Sequence, residues 1–274
     1  MKELDPASVR PAFFADDQWY PSSAAALRST IESLLAAAEY RNLGRPLGLI
    51  CPHAGLRFSG TVAAEAYRQL EGQSYELVAV VSPVHRRLVG PYAITSYRYY
   101  STPLGLLPVA EWAVAALEDR LPVSRIGRDE EHSLEIQLPF LQVVLGEFEL
   151  LPVMMGDQSA QSCRLLAQAL AEVLQGRSAL VVASSDLSHF HPYEVAVRID
   201  SRVAERVANF DPEGLAADLA AGRVEACGGG PMVTTMLACK ALGAKKAFVL
   251  RYANSGDVWP DRTSVVGYLA AALV

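Results

Sequence analysis

Four short runs of continuous apolar residues limit the fold more than any other feature of this chain. Residues 47–53 (LGLICPH), 77–83 (LVAVVSP), 150–156 (LLPVMMG) and 179–186 (ALVVASSD) are aliphatic throughout and end in polar or turn-forming residues. A strand that is apolar on both faces must be covered on both, as the central strands of a parallel sheet are. Runs at 247–253 (AFVLRYA) and 264–273 (SVVGYLAAAL) would extend such a sheet. Amphipathic patterns lie between the runs. Residues 22–39 open with serines suited to capping and set Leu27, Ile31, Leu34 and Leu35 on one helical face. Further helices are expected at 61–70, 109–119, 159–174, 194–209 and 231–242, the last with Pro231 at its first position. The alternation predicts one three-layer α/β domain over residues 1–274, with a mostly parallel central sheet and helices on both faces. No linker-like or low-complexity stretch divides it.

Composition narrows the function classes. The 274 residues are 51% hydrophobic and 20% charged, enough apolar material for a large core. A net charge of −6, without any basic run, argues against nucleic acid as a partner. The sequence holds no uninterrupted apolar stretch of about 18 residues, so no membrane span is expected. The N-terminal MKELDPASVRPAFF lacks the basic end and apolar block of a secretory signal. Cys51, Cys163, Cys227 and Cys239 match neither a disulfide framework nor a CxxC zinc site. Reduced thiols and a cytoplasmic location are the simplest expectation.

The histidines carry the chemistry. His53 (CPHAG), His85 (SPVHRR), His132 (EEHSLE) and His189 (SSDLSHF) fall where strands end or helices begin, and His191 follows closely. Ligands of open α/β sheets gather at the carboxyl ends of the strands. One such histidine is usually a hydrogen-bonded loop residue; a set of them points to a site. Cys227, in EACGGGPMV, precedes three glycines and a proline that opens a helix, a setting that favours thiolate. The other cysteines lie within apolar patterns and read as core. Two histidines and a thiolate suit Fe(II), Cu or Zn, while Cys227 with His189 or His132 would make a nucleophile pair. Glu135, three residues after His132, and Asp186, three before His189, are suited to orienting imidazoles. A solvated helix charge and a helix cap are their plainer readings.

Taken in order, VRPAFF, CPHAGLRFSG, SPVH, TPLG, DEEHSLEIQLPFLQ, SSDLSHF, ACGGGP and RYANSGD resemble the Memo-like family, whose bacterial and archaeal members are labelled AmmeMemoRadiSam system protein B. The resemblance runs from Arg10 to the C-terminal strand and implies the fold of class III extradiol dioxygenases. It further implies one transition-metal ion, iron foremost with copper or zinc as alternatives, held by His53, His85 and Cys227. His189 would then act as an acid or base, with Asp186, His132 and Glu135 lining the same pocket. Radical-SAM and AMMECR-type pathway partners are implied too, together with a small-molecule or peptide ligand. Two positions depart from the family pattern. Arg86 stands where a second histidine is frequent, adding a positive charge suited to an anion, and Ala110 stands near a frequent aspartate. Three functions are consistent with this reading: a metal-dependent redox protein, a ligand-binding module without turnover, and a metal-free Cys–His hydrolase or transferase. A ligand set also requires the nitrogen and sulfur atoms to lie within about 4–5 Å of a common centre.

Overall fold

The apolar runs become neighbouring strands at the middle of a nine-stranded mixed sheet. The computed structural model describes residues 5–87 and 89–274. Its first part comprises β1 (Val9–Arg10), α1 (Ala24–Ala37), β2 (Gly48–Cys51), α2 (Leu56–Arg68) and β3 (Leu77–Pro83). Shorter pieces follow: β4 (Tyr92–Thr95), β5 (Tyr99–Thr102), β6 (Gly105–Pro108), α3 (Glu111–Glu118), β7 (Val123–Ile126), α4 (His132–Glu135) and α5 (Leu138–Leu145). The chain then forms β8 (Glu149–Met155), α6 (Ala160–Leu174), β9 (Ala179–Ser184), β10 (Asp186–His191) and α7 (Tyr193–Ala208). It closes with α8 (Pro212–Ala220), α9 (Gly229–Leu242), β11 (Ala247–Asn254) and β12 (Val265–Leu273).

The main sheet runs β10-β12-β2-β9-β3-β8-β4-β7, with β11 also paired to β12. Its centre, β2, β9, β3 and β8, is parallel. Antiparallel pairs flank it, where β12 meets β2 and β4 meets β8, and the edge strand β7 is again parallel to β4. The parallel centre needs helical crossovers, and those helices cover both faces. Helices α6, α8 and α9 stack on one side, with α7 over β10, β11 and β12; α1, α2 and α5 form the other side. Helix α9 is buried almost all round because it lies between the sheet and the pair α6 and α8. A separate three-stranded sheet, β1-β5-β6, contains the TPLG string as its hairpin turn. No helix among the described residues is long and apolar enough to cross a membrane.

Several boundaries differ from expectation; α9 begins at Gly229, so Pro231 is its third residue rather than its first. Helix α2 begins at Leu56 rather than 61. Ser59 and Gly60 hide the pattern because they are small, yet smallness is what their position needs: a Cβ on Gly60 would fall 2.9 Å from Leu34 on α1. The apolar run 179–186 also splits. The chain leaves the central strand at Ser184 and within two residues becomes β10, an irregular strand paired antiparallel to β12.

The N-terminal arm is tied down by buried charge. Arg10 is fully buried, ion-paired with Glu135 and with Asp129 at 3.0 Å, and it donates to the Glu131 carbonyl at 3.1 Å. Glu135 also accepts from the Phe13 and Phe14 peptide N–H groups (3.1 and 2.9 Å) and the Tyr20 hydroxyl (2.5 Å). Its carboxylate is therefore engaged by the arm that carries Trp19. Removing one partner of a buried pair strands the other charge, so Glu135→Ala should lower unfolding free energy by about 3–5 kcal/mol in urea titrations. An effect below about 1 kcal/mol would contradict this anchoring role.

Candidate metal centre

His53 leaves the end of β2 with its orientation fixed at two points. Its peptide N–H donates to Asp186 Oδ1 at 2.8 Å, as does that of Ala54 at 3.3 Å. Its ring Nδ1 lies 2.9 Å from Ser184 Oγ. The single hydroxyl proton of Ser184 goes to the Ser133 carbonyl (2.5 Å), and the Gln137 amide N–H donates to Ser184 Oγ (2.7 Å). Ser184 can therefore only accept from His53, which assigns the proton to Nδ1 and leaves a lone pair on Nε2. Burial, followed by the neighbouring His132 and His85, holds the His53 pKa well below the ordinary imidazole range. The ring is neutral, as a metal ligand must be.

His85 and His132 share one carboxylate. Glu131 Oε2 accepts the His85 peptide N–H at 2.7 Å, and Oε1 lies 2.9 Å from His85 Nδ1. His132 Nδ1 is 3.0 Å from the same Oε1, off the line of an ideal hydrogen bond. Burial would raise the Glu131 pKa, but the two imidazoles outweigh it and hold the carboxyl below the usual range. The arrangement turns Nε2 of His85 away from Glu131. The three rings of His53, His85 and His132 sit with centroids 4.6–5.4 Å apart. Glu131 escaped the sequence reading. Its signal was present, because an acidic residue directly before a helix can cap it, and Glu131 does accept from the Ser133 N–H at the start of α4.

Cys227 reaches the same point from the turn before α9. Its peptide N–H donates to the Asp186 carbonyl at 3.2 Å, and the Gly228 N–H donates to Ser185 Oγ at 3.0 Å. Gly228 has to be glycine here, since a Cβ would stand 2.2 Å from the Ser184 carbonyl oxygen. From the opposite side Gln158 clamps the turn. Its amide donates to the Cys227 carbonyl (2.8 Å) and accepts from the Gly230 N–H (2.7 Å). The sulfur rests 3.2 Å from His53 Nε2. The expected thiolate is corrected by this setting: burial first, then the charge of Asp186, push the Cys227 thiol up. Desolvation outweighs the helix terminus, and a bound cation is what would displace the proton.

The proposed ligands are thus brought together: one donor atom each from His53, His85 and Cys227 lie within 4.8 Å of one another. A second group, His85, Glu131 and His132, meets the same distance. The soft and borderline donors of the first group fit a transition metal such as iron, copper or zinc. Above it opens a cavity of about 700 Å³, with His132, Asp186 and His189 among its lining residues. Asp186 directs its Oδ1 to the His53 loop rather than to His189, and burial raises its pKa. His189 lines the cavity from β10, and its ring has no hydrogen-bonding partner among the described residues. Glu135 lies outside the lining, committed to Arg10 and the N-terminal arm. Arg86 is outside it too, stacked 5.0 Å from the Phe14 ring, and Ala110 is buried at the start of α3.

The family model for Memo-like protein matches residues 10–272. The chain belongs to the Memo-like family. A MEMO1 family protein of Ignicoccus hospitalis is 37% identical over 234 residues, covering 82% of this chain and 81% of that protein. One from Methanosarcina mazei is 36% identical, covering 92% and 95%, and one from Thermotoga neapolitana is 37% identical, covering 85% and 84%. An uncharacterized protein of Escherichia coli K12 has a crystal structure of similar fold, with TM-score 0.56 at 13% identity, covering 82% of this Memo-like chain and 99% of its own.

Freeing the Cys227 turn should loosen the ligand set without unfolding the domain, because Gln158 is exposed and contributes only local bonds. Gln158→Ala is expected to weaken Co²⁺ binding by about 10-fold, read from the thiolate-to-cobalt absorption band, with a near-normal melting temperature. An unchanged cobalt affinity would remove Gln158 from the positioning of Cys227.

Proposed function

We propose that this Memo-like protein is a metal-dependent redox protein that holds one iron or copper ion on His53, His85 and Cys227 and acts on a substrate bound in the cavity above them. The observation that carries the reading is the orientation of the ligands. Ser184 keeps the His53 proton on Nδ1, Glu131 engages Nδ1 of His85, and the Cys227 sulfur lies beside the His53 lone pair. When bound, such an ion supplies one-electron redox chemistry and Lewis acidity at its open positions.

The protein's own groups divide the remaining work. Asp186 and Ser184 fix His53, Glu131 fixes His85 and stands beside His132, and Gln158 holds the cysteine turn. His189, whose ring has no hydrogen-bonding partner among the described residues, is placed to take or give a proton on a substrate in the cavity. Likeness of fold does not carry ring cleavage over to this chain, since a thiolate stands in the ligand set. A Cys–His nucleophile is the second reading, favoured by the 3.2 Å contact between Cys227 and His53. The raised thiol pKa weighs against it, because a nucleophile must be deprotonated.

Anaerobic purification with metal analysis tests the proposal. The expected result is close to one iron or copper per chain, lost in Cys227→Ser and retained in Cys51→Ser, since Cys51 is a strand-core residue. Alkylation of Cys227 should be slow, and slower still in the loaded protein. Absence of stoichiometric metal, or rapid alkylation in every form, would overturn it in favour of the nucleophile. His189→Ala should keep its metal while oxygen consumption falls by about 10²–10⁴-fold. An empty site in that variant would instead make His189 a ligand.

A further inference from the structure

The walls of the cavity carry information about what enters it. Trp19, Phe58 and Trp259 supply aromatic surface, and among the described residues Arg57 is the one Lys or Arg side chain in the lining. Its guanidinium carbon lies 4.7 Å from the Phe58 ring centroid and 5.1 Å from that of Trp259. Stacking of this kind uses the faces of the guanidinium and leaves its N–H edge open. Among the described residues no carboxylate pairs with it.

The carboxylates in the lining are differently placed. Asp17 accepts from the Ser22 N–H and hydroxyl, Asp261 from the Thr263 N–H and hydroxyl, and Asp186 from the N–H groups of His53 and Ala54. Each accepts from the local backbone, and Asp17 and Asp261 are exposed, as Arg57 is, so water and salt moderate all three charges alike. Asp261 and Asp186 each keep Oδ2 without a hydrogen bond, and Arg57 is the cationic donor of the cavity left without a carboxylate partner among the described residues.

We propose that the cavity takes a planar aromatic acid, with the Arg57 guanidinium pairing its carboxylate and Trp19, Phe58 and Trp259 flanking its ring system. This rests on the reading of the cavity as the working site, and it adds the substrate class. A fork of N–H donors matches a carboxylate at two points, which a lysine cannot do. The flanking rings give shape selection for a flat body.

Calorimetric titration of metal-free protein with 2-naphthoate, 2-naphthamide and 2-naphthylmethylamine tests the assignment separately from the metal. The naphthoate should bind at least about tenfold more tightly than the amide, the size of effect expected for one charge-assisted pair. Arg57→Ala should bring the acid down to the amide's affinity while leaving the amide unchanged, and Arg57→Lys should restore only part of the difference. Equal affinity for acid and amide, tightest binding of the amine, no binding of any probe, or an acid preference that survives Arg57→Ala would each overturn the proposal. None of these results depends on whether the metal site forms.

Discussion

Three consecutive residues, where the central strand β9 passes into β10, hold the site together. Ser184 receives the His53 ring, Ser185 receives the Gly228 N–H, and Asp186 receives the His53 N–H on its side chain and the Cys227 N–H on its carbonyl. Two of the proposed ligands, from distant parts of the chain, are thus referred to one rigid junction at the end of β9. The strand earns that rigidity from parallel pairing on both sides, with β2 and β3. Preorganisation of this kind is what a precise ligand geometry requires, since loops alone would leave it loose.

Burial and charge act against each other throughout the centre. Desolvation keeps His53 neutral and Cys227 a thiol, while Glu131 remains ionised because imidazoles surround it. Neutral lone pairs and an exchangeable thiol proton converge, with a fixed anion behind them, which suits the proposed cation. A metal bound there would displace the thiol proton, so its affinity would rise with pH.

A second polar knot, Arg10 with Asp129 and Glu135, lies behind the first. It secures the arm bearing Trp19, whose ring packs 4.6 Å from that of His132. One wall of the cavity is therefore supplied by the N-terminus. Helix α4 serves both knots. At its start His132 faces the cavity, and at its end Glu135 grips the arm.

Much of this was legible in the residues themselves. The continuous apolar runs determined the central strands, because a segment apolar on both sides has few other places to go. Strand-end histidines and the CGGGP turn marked His53, His85 and Cys227, and the order of the motifs marked the family. Spacing could not separate the roles of neighbours. His132 and Glu135 are three apart, yet one lines the cavity and the other is buried under Arg10. Glu131, Gln158 and Ser184 act through partners 46 to 131 positions away, for example His53 with Ser184 and His85 with Glu131. Local sequence therefore determined which segments became strands and which residue types reached their ends. The tertiary structure alone decided the protonation and pairing of those residues, because desolvation and hydrogen bonding depend on what the rest of the chain places beside them.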